Sequence, residues 1–195
     1  MDYPHGATPL DLDELSGLKF KHIQTRAELD QMEQVNIQSG LMWLDKQKNV
    51  DILTINFTLE LHRRLFGAVW DWAGIFRQSE KNIGINPLNI SVELRKLLDD
   101  VNAWVEFNTY TPKEAALRFH HRLVYIHVFA NGNGRHARIM ADAILKFIYS
   151  SPELNWTGKN LQQISKQRKQ YILALRSADT HDFEPLLSMF EISKG

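Results

Sequence analysis

Apolar residues recur along most of this chain at the three-and-four spacing of helices with one buried face. Thr25 followed by Glu28 has the spacing of a capping box and predicts a helix from Arg26 to about Lys46, with loose apolar phasing. A second helix is expected over Thr58 to Val69, where Leu59, His62, Leu65, Phe66 and Val69 form one stripe. Ser91 is placed to cap a third, carrying Leu94, Leu97, Leu98, Val101, Trp104 and Val105. Thr111 and Glu114 repeat the capping-box spacing, with Pro112 at the first helical position, and that helix runs through Phe119 and Leu123 to about Ile126. Another starts near Gly134 and buries Ile139, Met140, Ala143, Ile144, Phe147 and Ile148. Leu161, Ile164, Tyr171, Ile172 and Leu175 predict a further helix, and Asp182 with Pro185 opens a last one bearing Leu186, Leu187, Met189 and Phe190.

The period fails in three stretches. Residues 1–18 mix Pro4, Gly6, Pro9 and Gly17 with acidic residues and read as an extended arm, so the arm is bounded at 1–24 and a single domain at 25–195. From Trp70 to Asn89, glycines 74 and 84 and Pro87 punctuate short apolar pieces such as Ile83-Gly84-Ile85, which predicts a small β-hairpin. Residues 150–158 read as a surface loop. The expected fold class is all-α with that one hairpin.

Composition adds limits. A chain of 195 residues suits one domain with a sizeable core. Its 23 basic and 23 acidic residues balance, so bulk charge points to no nucleic-acid partner, and Lys166, Arg168, Lys169 and Arg176 read as a solvated helix face. The absence of cysteine removes thiol nucleophiles and thiolate metal sites and fits a cytoplasmic protein. No signal-peptide pattern and no membrane span are expected. Trp70, Trp72 and His62 are read as core residues, and His120 and His121 do not complete a metal site with His127.

Chemistry concentrates between His127 and Arg138. Asn131-Gly132-Asn133-Gly134 breaks regular structure just before a helix start, where unpaired N–H donors and the macrodipole favour anions. Arg135 and Arg138 add guanidinium forks suited to phosphate. His127 ends the preceding helix; the negative end of that helix favours imidazolium, and a nearby arginine would push the other way. A base beside bound phosphate indicates phosphoryl-type transfer.

This stretch resembles the Fic/Doc motif, His-x-Phe-x-[Asp/Glu]-Gly-Asn-Gly-Arg-x-x-Arg, and Trp70-Asp71-Trp72-Ala73-Gly74-x-x-Arg77 resembles the family's lead-in to its target-binding flap. Gly6-Ala7-Thr8-Pro9-Leu10 and the Asn131 variant are similar to the subgroup called mobile mystery protein B. The resemblance implies a Fic-type helical domain that moves AMP from ATP to a Ser, Thr or Tyr hydroxyl of a target protein. His127 would be the base, Gly132, Asn133 and Gly134 phosphate donors, and Arg135 and Arg138 the neutralising cations. The target would bind at the flap around residues 75–86. Magnesium would meet Asn131, which stands where an acid is usual; Gly134 is retained where kinase-type relatives carry lysine. A toxin-like half of a toxin–antitoxin pair is a further implication. The alternative is a nucleotide- or partner-binding module with weak or other phosphotransfer activity. Many relatives carry an inhibitory pattern, [Ser/Thr]-x-x-x-Glu-[Gly/Asn]; here Glu33 with Asn36 is the nearest approach, with Gln34 at the Gly/Asn place, so restraint is expected from an antitoxin-like partner.

Overall fold

The computed structural model describes residues 12–23, 25–156 and 166–190. Helices α1 (Leu12–Ser16), α2 (Arg26–Asp45), α3 (Ile55–Phe66), α4 (Ile90–Glu106), α5 (Pro112–Ile126), α6 (Asn133–Phe147), α7 (Lys166–Ala178) and α8 (Glu184–Ser188) follow one another. The pairs α2 with α3 and α5 with α6 pack most extensively, and α4 lies against α5. Between them Leu61, Leu65, Leu94, Leu97, Val101, Leu117, Phe119, Phe129, Met140 and Ile144 lose all or nearly all contact with water. At roughly 1.5–3 kcal/mol for each large apolar side chain, this burial is what holds the helices together.

Caps explain where the helices begin. The Thr25 hydroxyl accepts the Glu28 N–H at 3.3 Å while the Glu28 carboxylate accepts the Thr25 N–H at 2.9 Å, the reciprocal box expected for α2. Helix α3 starts before Thr58 because the Thr54 hydroxyl accepts the Phe57 N–H at 3.1 Å, and it stops at Phe66. Ser91 does not cap α4. A 3₁₀ turn at Pro87–Asn89, with the Asn86 side chain accepting the Leu88 N–H at 3.0 Å, leads straight into Ile90 and puts Ser91 inside the first turn. Thr111 caps α5, but Glu114 bonds Arg118 at 2.9 Å and leaves that box half made. Asn108, at φ 50, makes the turn between α4 and α5. Asp182 accepts from the Glu184 N–H at 3.3 Å at the start of α8, while Met189 and Phe190 lie beyond its end. Leu161, Ile164 and Gly158 lie outside the described residues.

Two expectations need correction. Among the described residues no strand ladder forms between Trp70 and Asn89; the only bridge there joins Trp70 to Leu18. The backbone groups that a hairpin would pair inward are taken elsewhere: Lys19 N–H reaches Val69 O at 3.0 Å, Asp71 N–H reaches Gly17 O at 2.9 Å and Arg77 N–H reaches Val128 O at 3.0 Å. The arm also differs, since its described part begins with the short α1 and then lies along residues 69–71. Glu14 of α1 ties to residues 79–81 through Ser79 and a largely buried pair with Lys81. Residues 1–11, including Gly6 to Leu10, lie outside the described residues. Residues 150–156 form the expected loop, held to α6 by Asp142, which accepts from Leu154 N–H at 3.0 Å and from the Trp156 indole at 2.9 Å.

Candidate active site

Residues 127–132 connect α5 to α6, and each end of this connection is a left-handed residue. His127 is the C-cap of α5 at φ 56, and Gly132 is the N-cap of α6 at φ 77. Only glycine serves at 132, because a Cβ there would lie 2.8 Å from the Phe66 ring. The buried Asn133 side chain braces the loop from inside. Its amide donates to Phe129 O at 2.7 Å and its oxygen accepts the Phe129 N–H at 2.9 Å. The Asn133 side chain is therefore a loop brace, which revises the expectation of an amide donor to phosphate.

His62 fixes the loop from α3. It has no exposed surface and stacks on Phe129 with ring centroids 3.6 Å apart. Nδ1 accepts the Gly74 N–H at 3.0 Å, so Nε2 carries the proton and donates to Asn131 O at 3.1 Å. Burial first, then the neighbouring His136, hold its pKa well below the usual value. The reading of His62 as a core histidine stands, with the addition that it joins three segments. Trp70 is fully buried, and Trp72 stacks on it from a half-buried position.

His127 is 4% exposed. Its pKa is lowered to about 4, by burial first and then by the charge of Arg77, with Lys81 adding to the same direction; the Val124 carbonyl opposes. The helix C-terminus thus loses to desolvation, and the arginine that acts is Arg77 rather than one of the motif. At pH 7 the imidazole is neutral and able to take a proton, as a weaker base than a free histidine.

The two motif arginines contact different elements. Arg135 pairs with Glu33 of α2 at 2.5 Å, and its guanidinium lies 4.8 Å from the centre of the Phe66 ring. Glu33 is 3% exposed and also accepts the Trp70 indole N–H at 2.7 Å. Restraint was expected from a separate partner; here Glu33, the nearest approach to the inhibitory pattern, engages Arg135, the first motif arginine. Arg138 is buried toward α7, with Tyr171 and Arg168 nearby. The two sides of the α6 start are thus braced from α2 and α7. Gly134 lies open between them, since a Cβ there would meet nothing nearer than Arg138 Nη1 at 3.7 Å.

Asn131 offers a metal one neutral amide oxygen, and that oxygen accepts the Gly132 N–H at 2.6 Å. No group of three or more His, Cys, Asp or Glu residues converges among the described residues. Hard divalent cations prefer charged oxygen donors, so the protein's own donor set fits magnesium poorly, and phosphate oxygens would have to supply most ligands. His120 bonds Tyr171 and His121 bonds Asp179 at 2.8 Å, in different directions.

Arg77 is the residue whose role sequence reasoning missed. Its buried guanidinium donates from Nε to His127 O at 2.5 Å, from Nη1 to Ser79 O at 2.8 Å, and from Nη2 to Ile85 O. Carbonyl acceptors some fifty residues away leave no signal in sequence spacing.

Residues 52–145 match the family described as Fic/DOC family. Two proteins named protein adenylyltransferase Fic are similar to this chain. That of Nematostella vectensis is 32% identical over 124 residues, covering 60% of this chain and 29% of its own length. That of Aedes aegypti is 29% identical over 142 residues, covering 70% of this chain and 27% of its own length. The chain thus spans under a third of these relatives' length. Fic-1 of C. elegans superposes with a TM-score of 0.64 at 25% identity, covering 89% of this chain and 50% of that one. The BepC protein of Bartonella tribocorum, solved with bound AMPPNP, gives 0.69 at 15% identity over 92% of this chain and 96% of that one, a likeness of fold. None of the described helices is long and apolar enough to cross a membrane.

Proposed function

We propose, on the premise that this chain belongs to the Fic/DOC family through its residues 52–145, that it is a protein adenylyltransferase moving AMP from ATP to a Ser, Thr or Tyr hydroxyl of a target protein. The observation that carries this reading is His127, held neutral by burial and Arg77 on the turn that leads into the N-terminus of α6. His127 takes the proton of the target hydroxyl as its oxygen bonds to the α-phosphorus; the bond to the β-phosphate oxygen breaks and pyrophosphate leaves. The backbone of Gly132 to Gly134, with the α6 N-terminus, lies against the phosphates, and Arg135 and Arg138 offset charge moving to the leaving group. Magnesium brought in on the nucleotide would neutralise phosphate charge, with Asn131 as the one side-chain ligand the loop offers. Residues 75–86 receive an extended piece of the target, whose main chain adds to theirs. An antitoxin-like partner, suggested by the subgroup resemblance, would act in addition to the Glu33–Arg135 pair.

A second reading, a nucleotide-binding module with weak turnover, is favoured by the two engaged groups, Arg135 on Glu33 and Asn131 on Gly132. One experiment separates the two. Incubation with ATP and magnesium should label protein with AMP, and His127→Ala should abolish labelling by about 10²-fold or more while ATP binding persists. Labelling by His127→Ala at the wild-type rate would remove His127 as base, and ATP binding without labelling by wild type would leave the module.

A further inference from the structure

We propose that Arg77 is a positioning residue of this site: it locks the target-receiving segment in register with His127, and so fixes where an incoming hydroxyl meets the imidazole. The inference rests on the adenylyltransferase reading for its last step only, since the lock itself is a matter of geometry.

Residues 75–86 lack the ladder that would hold a hairpin together, and their one glycine, Gly84, sits at positive φ, as does Gly74 just before them. Ser79 and Lys81 tie them to Glu14 of α1, and what fastens them to the end of α5 is the Arg77 guanidinium. Arg77 donates to Ser79 O and Ile85 O within the segment, and to His127 O and Ile126 O at the end of α5. Its own N–H donates to Val128 O at 3.0 Å, so main chain and side chain straddle the His127 residue. A planar fork with five donors is the one side chain able to serve four carbonyls in different directions; an ammonium has three and no fixed plane. The fit is close. A Cβ on Gly84 would lie 2.5 Å from His127 Cβ and 2.8 Å from Arg77 Nη2, so the segment touches both at that point. The charged groups bearing on the imidazole, Arg77 and Lys81, both come from this segment, and Lys81 is in turn held by Glu14 of α1. The same arginine therefore sets the distance between segment and base and helps keep the base neutral.

Three variants separate these roles. Arg77→Lys keeps a charge and loses the fork; Arg77→Met loses both; Gly84→Ala keeps the arginine side chain and drives the segment off both His127 and the guanidinium. Amide hydrogen exchange of residues 79–86 should quicken in all three. The NMR titration of His127 should move upward from about pH 4 in Arg77→Met and less in Arg77→Lys. In labelling with ATP, kcat should fall by about 10²-fold, as a misplacement of about 1 Å can cost, with the KM for ATP unchanged. Thermal unfolding shows which variants remain folded. Folded Arg77→Met and Arg77→Lys proteins with wild-type exchange and wild-type His127 titration overturn the proposal, and so does faster exchange with unchanged kcat. If wild type does not label at all, the adenylyltransferase reading fails on its own, and exchange and titration still decide whether Arg77 holds the segment on His127.

Discussion

Glu33 shows how much a single buried carboxylate changes the reading of a phosphate site. It bonds Arg135 at 2.5 Å and the Trp70 indole at 2.7 Å, and at 3% exposure it has little water to screen it. A triphosphate arriving at Arg135 competes with this carboxylate for the same guanidinium. A unit charge about 4 Å away is worth roughly 1 kcal/mol in water and 4 kcal/mol near a protein surface, and about 1.4 kcal/mol is a factor of ten. Glu33→Gln keeps an oxygen for Trp70 while removing the charge. It should tighten ATP binding by about tenfold or more, read by isothermal titration calorimetry. Unchanged or weaker binding by a folded Glu33→Gln protein would mean that Glu33 serves to hold Arg135 in place rather than to block it.

At the scale of elements, the connection between α5 and α6 carries the chemistry and has no regular structure of its own. Its shape depends on braces: Asn133 within, His62 from α3, Phe66 against Gly132 and Arg77 from the segment before α4. Asn133→Ala would strip partners from both backbone groups of the buried Phe129, at about 1–3 kcal/mol for each unsatisfied group. The chemical-denaturation midpoint should fall accordingly, and labelling should fall further than stability explains. A variant with wild-type stability would show that water or another group replaces the amide. The same dependence made this region hard to read in advance, since its hairpin appeared plausible from Ile83-Gly84-Ile85 and the glycines, while the hydrogen bonds went to residues 17–19 and 128.

Across the whole molecule, five buried histidines among the described residues set the response to acid. His62, His120, His121, His127 and His136 all have lowered pKa values, reaching about 3 for His120 and His136 and about 4 for His127, with burial the leading cause in each. The unfolded chain takes up these protons near pH 6.5 while the folded chain refuses them, so their stabilising contribution is full above about pH 6.5 and is lost as pH falls toward 3–4. Asp142, raised to about 6 by burial, works in the opposite direction with a single proton. The net slope should approach about 1.4 kcal/mol per pH unit for each excess proton. Urea unfolding at pH 7, 6, 5 and 4 should show stability falling steeply below 6.5; a flat profile down to pH 4 would mean that these imidazoles are protonated in the folded protein.

The sequence by itself determined the helices and the place of the chemistry. Apolar spacing and the capping threonines 25 and 111 are local signals, written within one or two turns, and the His127 to Arg138 stretch is contiguous. The tertiary structure decided what each group in that stretch is free to do. Asn133 was turned inward onto Phe129, Asn131 onto Gly132, Arg135 onto Glu33 and Arg138 toward Tyr171, and Arg77 came to grip His127. The reason is physical: a buried polar group must find a partner wherever packing puts one, and those partners lie on other elements or on backbone carbonyls that carry no side-chain signature.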